Sequence, residues 1–149
     1  MSDVQLVLSL GRADAVPDFP VADNVVVVPY APQLQLLDKA TMVITHAGMN
    51  TTLEGIRRGL PLLAIPVTND QPGVARRLEW LGLGEVILPS QVTAPRLRAL
   101  LEKILTTPKY RENANKYQQQ MANGPGVVEA ANLVEKAFTT RQRILRPAS

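Results

Sequence analysis

A chain of 149 residues, with 46% hydrophobic and 19% charged residues, is long enough for one domain with one core, and its composition excludes disordered and fibrous proteins. Its net charge of +3 comes from scattered Lys and Arg residues, which suit an anionic ligand but are too dispersed to indicate a nucleic-acid surface. The chain has no cysteine, which excludes disulfides and thiolate nucleophiles, and its apolar runs are far shorter than the roughly 20 residues of a spanning helix. We therefore expect a cytoplasmic protein, with peripheral membrane association as the alternative.

Short apolar runs rich in Val, Ile and Leu alternate along the chain with segments of helical periodicity. The predicted strands are Val4 to Leu8, Val25 to Val28, Met42 to Thr45, Leu62 to Ile65 and Glu85 to Leu88. The predicted helices are Gln33 to Lys39, Thr51 to Arg58, Pro72 to Leu81, Ala94 to Leu105, Pro108 to Ala122 and Val127 to Thr140. This alternation predicts an α/β fold: a Rossmann-like parallel sheet with helices on both faces, formed by residues 1–149 as one domain.

The first candidate binding residues follow the strand at Val25 to Val28. Tyr30 and Gln33 stand at the carboxyl end of this strand, where open parallel sheets place their ligands. The Tyr30 ring can stack on a flat base, and the Gln33 amide can both donate to and accept from a pyrimidine edge. A surface tyrosine and a helix-start glutamine are the alternative interpretation.

The next strand enters a helix through His46-Ala47-Gly48-Met49-Asn50-Thr51-Thr52. Gly48 permits a close approach of backbone or ligand, and Thr51 or Thr52 is the expected N-cap. The first-turn amides carry the equivalent of roughly half a positive charge, which suits a phosphate. His46, the only histidine, can donate to a phosphate oxygen there, whereas a hydrogen-bonded core histidine is the alternative. The glycine patterns of ATPases and dinucleotide-binding proteins do not occur.

Two further groups of polar residues follow. Glu54 shares a helix face with Thr51, and its carboxylate can accept from the two vicinal hydroxyls of a ribose. The alternative is a first-turn glutamate that complements the helix dipole. Asp70 and Gln71 follow the strand at Leu62 to Ile65 and suit a ring of hydroxyls, whereas helix capping by Asp70 is the alternative. All these groups are predicted at one edge of the sheet.

The stretch from Tyr30 to Gln71 resembles the nucleotide-sugar-dependent GT-B glycosyltransferases of the UDP-glycosyltransferase type, in the bacterial branch with the zeaxanthin and macrolide glucosyltransferases. The eight-residue spacing from His46 to Glu54 and the adjacent Asp70-Gln71 pair carry this resemblance. Tyr30 and Met49 stand where plant relatives have Trp.

The resemblance implies a carboxyl-terminal donor domain that binds a UDP-sugar, with UDP-glucose favoured and no metal or other cofactor. It implies that Tyr30 stacks on the base, that Gln33 lies by the uracil, that Glu54 holds the ribose, and that Asp70 and Gln71 hold the sugar hydroxyls. The diphosphate would be contacted by His46 and by the amides near Gly48, Asn50 and Thr51. No catalytic residue is assigned within the chain.

The resemblance also implies what the chain lacks. The family's general base is a histidine of an amino-terminal acceptor domain, and His46 is already assigned to the diphosphate. The opening run Val4 to Gly11 resembles the second strand of the donor domain, so we expect the first strand and its helix to be missing. We expect this gap to be closed by rearranged strand pairing, by strand exchange in a homodimer, or by a partner chain, because an unpaired central strand is costly.

Three functions remain open at this point. The first is the donor domain of an inverting glycosyltransferase, inactive without its amino-terminal half. The second is a non-catalytic module that binds a UDP-sugar. The third is a scaffold whose ligand site is vestigial.

Overall fold

Strands and helices alternate through the first two-thirds of the chain, and three helices complete it. The computed structural model describes residues 3–12, 17, 19–124 and 126–145. The strands are β1 (Leu6–Ser9), β2 (Val25–Val28), β3 (Val43–Thr45), β4 (Leu62–Ala64) and β5 (Gly84–Val86). The helices are α1 (Gln33–Leu37), α2 (Met49–Ile56), α3 (Gln71–Trp80), α4 (Ala94–Thr106), α5 (Pro108–Asn123) and α6 (Gly126–Thr140), with a 3-10 turn at Pro89–Gln91 before α4. Each predicted strand and helix is found within a few residues of its expected bounds.

The strands form two separate parallel sheets. In the first, β1 pairs with β2, with Leu6 opposite Val25. In the second, β4 lies between β3 and β5, with Leu62 opposite both Val43 and Gly84. Among the described residues no pairing joins the two sheets, so the rearranged pairing that we considered for closing the gap is not observed. Strand exchange and a partner chain stay predictions.

The three-stranded sheet is covered on both faces, as predicted. Leu62 and Ala64 of β4 pack into one apolar cluster, which holds Leu78 of α3 and Ala114 of α5. Leu63, which points the other way because side chains alternate along a strand, packs with Ile87 and with Ile104 of α4. Leu62, Leu63 and Ala64 are all fully buried. The short apolar run therefore forms a central strand of a two-sided core.

Polar side chains of α5 hold the loops at the amino-terminal end of this sheet. Gly59 and Gly82 follow α2 and α3 and adopt the left-handed conformation, with φ of 65° each. Arg111 donates to the carbonyl oxygen of Gly59 at 2.8 Å, and Asn113 donates to that of Gly82 at 3.0 Å. Helix α5 thus stabilises the sheet end opposite the candidate binding residues.

A second polar cluster connects β5 to α4 and α5. Glu85 accepts hydrogen bonds from Tyr110 and, at 2.7 Å, from the Lys103 ammonium. Burial alone would raise the pKa of Glu85, but the hydrogen bonds from Lys103 and Tyr110 lower it on balance. The hydrogen bond to Glu85 raises the pKa of Lys103, and burial together with Glu85 raises that of Tyr110. The shifts of Glu85 and Lys103 favour their ionised forms, and that of Tyr110 favours the protonated hydroxyl that donates to Glu85.

The first sheet and α6 are much less covered. In β1 the side chains of Leu6 and Val7 are exposed, and so is Val26 in β2. Every described residue of α6 is exposed, including Val134 and Phe138. None of the helices in the described part of the chain is long and apolar enough to cross a membrane.

Candidate functional site

The candidate residues lie where strands β2, β3 and β4 end. Tyr30 follows β2, His46 follows β3, and Asp70 follows β4. Because β3 and β4 are adjacent and parallel, with Thr45 opposite Ala64, the loops that carry His46 and Asp70 leave from neighbouring points on the sheet edge. The predicted clustering at one edge of the sheet is therefore found for the residues that follow β3 and β4.

A strained turn connects β3 to α2. Ala47 is fully buried and has φ of 66°, a left-handed conformation that costs a non-glycine residue about 1–2 kcal/mol. Its amide donates to the Thr45 hydroxyl oxygen at 3.1 Å, and its methyl group lies in the main apolar cluster. Neither residue was singled out from the sequence, although a threonine two residues before a buried turn position is a known side-chain turn pattern.

His46 lies over the start of α2. The side chain is exposed, so the interpretation as a core histidine is wrong. A Cβ on Gly48 would lie 2.5 Å from Nε2 of His46, which shows that the imidazole rests against Gly48. Gly48 is the N-cap, with φ of −61° and ψ of 136°, and no side chain caps the helix. The first-turn amides of α2 and the imidazole therefore face the same space.

The expected cap at Thr51 or Thr52 is wrong. Helix α2 begins at Met49, and its first internal bond runs from the Thr52 amide to the Gly48 carbonyl at 3.0 Å. The cause is Gly48, whose extended backbone starts the helix earlier without a side-chain acceptor. Asn50 and Thr51 are consequently first-turn residues, whose amides have no partner earlier in the helix.

Gln33 brings the two sheets together at this site. Its Nε2 donates to Glu54 Oε2 at 2.5 Å and to the Thr51 hydroxyl at 3.2 Å. Gln33 begins α1, which follows the first sheet, whereas Thr51 and Glu54 lie in α2 of the second. An ion pair of 2.6 Å between Arg58 and Asp38 joins the same two helices. Thr51 and Glu54 share a helix face as predicted.

Glu54 is not the dipole partner that the alternative interpretation required. Because α2 begins at Met49, the first turn contains no acidic residue. Glu54 lies beyond that turn, and the macrodipole effect falls off within it. The Gln33 amide engages Oε2 of Glu54, which leaves the other carboxylate oxygen available to accept a hydroxyl.

The loop after β4 presents Asp70 outward. Asn69 has φ of 56°, and the Gln71 side-chain oxygen accepts from the amides of Val67 and Thr68 at 2.8 and 3.0 Å. Asp70 occupies the N-cap position of α3, but its side chain makes no capping hydrogen bond, so capping does not account for this residue. Its carboxylate is exposed, and Gln71 fixes the loop while keeping its NH₂ group for other partners.

Tyr30 stands apart from these contacts. Its side chain is 76% exposed in the loop that follows β2. The structure shows a ring accessible to stacking but does not bring it against the other candidates. Within the described ranges, no three His, Asp or Glu side chains are grouped as a metal site.

The fold matches that of solved glycosyltransferases. The glycotransferase of kitacinnamycin superposes with a TM-score of 0.80 at 34% identity, over 89% of this chain and 34% of that chain. The glycosyltransferase VinC in complex with DTDP superposes with a TM-score of 0.72 at 25% identity, over 87% of this chain and 39% of that chain. The chain therefore has the fold of a GT-B glycosyltransferase domain, as predicted.

Sequence relatives agree. The chain is 33% identical over 138 residues to "Uncharacterized UDP-glucosyltransferase YojK" of Bacillus subtilis, covering 91% of this chain and 34% of that protein. It is 35% identical over 119 residues to a zeaxanthin glucosyltransferase of Pantoea ananas, covering 80% of this chain and 27% of that protein. It thus spans about a third or less of these relatives.

The family model of the Erythromycin biosynthesis protein CIII-like, C-terminal domain matches residues 2–136. This chain belongs to that family of glycosyltransferase carboxyl-terminal domains. The predicted resemblance to bacterial zeaxanthin and macrolide glycosyltransferases is confirmed.

Proposed function

We propose that this chain is the donor-binding domain of a glycosyltransferase and binds a UDP-sugar, with UDP-glucose as the donor. The observation that carries the proposal is the uncapped start of α2 with the His46 imidazole resting against it. A helix start without a side-chain cap binds anions through its free amides, and a diphosphate supplies the charge that this position favours. The relative named as a UDP-glucosyltransferase supports the choice of donor.

The neighbouring groups suit the rest of such a donor. The diphosphate would meet His46 and the amides of Gly48, Asn50 and Thr51. Glu54, held by Gln33, would accept from the ribose hydroxyls through its free oxygen. At the neighbouring strand end, the sugar hydroxyls would meet the Asp70 carboxylate and the Gln71 NH₂ group.

The base would lie towards the first sheet. Tyr30 offers an exposed ring for stacking, and Gln33, whose NH₂ group is engaged by Glu54 and Thr51, retains its side-chain oxygen for the uracil N–H. Because stacking tolerates any pyrimidine, the thymine nucleotide is the competing donor base, and the complex of VinC with DTDP makes it the appropriate comparison.

Titration calorimetry with UDP, UDP-glucose and DTDP tests the proposal. We expect saturable binding of UDP that His46→Ala and Glu54→Gln each weaken about tenfold, as expected for one hydrogen bond to a charged group. Glu79→Gln is the matched control, because Glu79 is an exposed glutamate of α3 that pairs with Arg76 at 2.7 Å. Absence of binding at millimolar UDP, or equal loss in the Glu79 control, would contradict the proposal.

We further propose that sugar transfer requires groups outside this chain. Inverting transfer needs a base beside the acceptor hydroxyl, and the one histidine of the chain is the residue that we assign to the donor diphosphate. We expect no transfer from UDP-glucose to an acceptor by the chain alone, and transfer when an amino-terminal acceptor domain of a relative is added. Binding without transfer in both conditions would instead support the non-catalytic module.

Such a partner has surfaces to occupy. Within the described residues β1 and β3 are each paired on one side only, and α6 carries Val127, Val134 and Phe138 on one exposed face. We propose that an amino-terminal domain covers these surfaces, and that a second copy of the chain covers them when that domain is absent. We also propose that the protein acts in the cytoplasm. Analytical ultracentrifugation with and without the added domain distinguishes the two occupants.

A further inference from the structure

The turn between β3 and α2 is flanked by two buried threonines. Thr45 and Thr52 are the polar residues found buried in the described part of the chain. They differ in their bonding, because the Thr45 hydroxyl accepts from the Ala47 amide at 3.1 Å while the Thr52 hydroxyl has no partner. Burial of a hydroxyl group is unfavourable unless the group forms a hydrogen bond. The contribution of Thr45 therefore depends on its hydrogen bond with the Ala47 amide.

That bond holds an unfavourable backbone conformation. Ala47 has φ of 66°, which L-residues other than glycine rarely adopt, and its methyl group is buried in the main core. A threonine oxygen that accepts from the amide two residues later closes a side-chain turn and fixes the intervening peptide. Thr45 thereby fixes the backbone on both sides of His46.

The position of the imidazole depends on this peptide. His46 lies between the two bonded residues, and its Nε2 occupies the space where a Gly48 side chain would lie. If the Ala47 peptide rotated to an ordinary conformation, the His46 side chain would leave the start of α2. The hydroxyl itself is buried behind the turn and is not among the groups expected to touch a ligand.

We propose that Thr45 is a positioning residue, whose hydroxyl holds the left-handed turn at Ala47 and so keeps the His46 imidazole over the start of α2. The inference concerns the ligand-free chain. Its consequence for the diphosphate rests on the proposed function.

Proton NMR of the full chain tests the placement without a ligand. The imidazole of the only histidine lies against Gly48, so its ring current shifts the Gly48 Hα signals away from their random-coil positions. We expect Thr45→Val, which keeps the shape of the side chain but removes the acceptor, to move these signals towards random coil. Thr45→Ser keeps the acceptor and is expected to retain the wild-type positions.

Thr52→Val is the matched control, because it makes the same change at the other buried threonine and removes a hydroxyl without a partner. We expect it to leave the Gly48 and His46 signals in place. Thr45→Ala serves as a second acceptor-free variant, and spectra are recorded well below each unfolding midpoint. Unchanged Gly48 signals in both acceptor-free variants, or equal changes in Thr52→Val, would overturn the proposal.

The UDP affinity gives the functional readout. We expect Thr45→Val to weaken UDP binding about tenfold, the size of one lost charge-assisted contact, with Thr45→Ser close to wild type. Thr45→Val should also abolish the UDP-induced chemical-shift change of the His46 ring protons. If wild type does not bind UDP, the proposed function fails, while the Gly48 signals still decide the role of Thr45. A Thr45→Val variant that binds UDP like wild type would contradict the consequence for the ligand.

Discussion

Both sheets contribute residues to one candidate site, but they differ in how far they are buried. In the three-stranded sheet, the central strand β4 is fully buried and has helices on both faces. In the two-stranded sheet, three of the four β1 residues are exposed. Hydrogen bonds from Gln33 at the start of α1 to α2, together with the ion pair between Arg58 and Asp38 at the other ends of these helices, connect the two parts of the site.

The difference in burial predicts a difference in rigidity between the two parts of the site. His46, the start of α2 and Asp70 stand on a sheet whose core is complete, so their geometry can be fixed before a ligand arrives. Tyr30 stands on a sheet that lacks cover, so its position relative to the others depends on α1 and on whatever covers β1. We therefore expect the phosphate and sugar parts of the site to be more rigid than the base part.

The largest expected effect is on the free energy of unfolding, at a buried residue of the three-stranded sheet. Leu63→Ala in β4 should lower the free energy of unfolding by about 2–5 kcal/mol, because it removes a fully buried side chain that packs with Ile87 and with Ile104 of α4. Leu6→Ala in β1 makes the same change at an exposed strand residue and should cost less than about 1 kcal/mol. Urea unfolding followed by circular dichroism measures both. Equal losses would show that the two sheets form one core.

A smaller effect is expected at the polar cluster of β5. Glu85→Gln should cost about 1 kcal/mol near pH 7, discounted because Lys103 is half exposed. The lowered pKa of Glu85 gives stability that is present above its unfolded value of about 4.3 and is lost as the pH falls through the folded pKa. The raised pKa of Lys103 gives stability that is present below about 10.4 and is lost as the pH rises through its folded pKa.

The difference between wild type and Glu85→Gln should therefore be widest between about pH 5 and pH 10, and should narrow outside that window. Thermal unfolding from about pH 3 to about pH 12, which extends above the unfolded pKa of lysine, checks this window, with Glu79→Gln as the exposed control. A difference that stayed constant at all pH values would show that the charge of Glu85 does not contribute to stability.

The smallest effect on stability is expected at Tyr30. Tyr30→Ala should change the unfolding free energy by less than about 0.5 kcal/mol, because the ring is 76% exposed. It should weaken UDP binding about tenfold through the lost stacking on the base. Tyr30→Phe keeps the ring and should bind like wild type. A loss of affinity in Tyr30→Phe as well would assign the effect to the hydroxyl.

Much of this organisation could be predicted from the sequence because the signals are local. The run Leu62 to Ile65 predicted β4 to within one residue, since a short continuous apolar run between helical segments is typical of a buried strand. The edge at which the site lies followed from the order of strands and polar residues, since parallel strands place their carboxyl ends together.

The remainder depended on interactions that composition does not reveal. The prediction of the α2 cap is wrong because threonines favour caps, whereas the helix begins directly after Gly48, which has an extended backbone and no capping side chain. The left-handed Ala47 was not anticipated, because its conformation comes from core packing and the Thr45 bond rather than from its own preference. The resemblance implies a gap in the sheet, whereas the way in which such a gap is closed depends on long-range pairing, which no local pattern encodes.

We expect a nucleotide-sugar to occupy the edge formed by the ends of β3 and β4. Titration of the ¹⁵N-labelled chain with UDP-glucose, followed by amide chemical shifts, tests this directly. We predict that the largest shifts fall at residues 46–54 and 67–71, with smaller ones near Tyr30 and none in α5. Shifts absent from residues 46–54, or concentrated on α6 or around Trp80, would contradict the account.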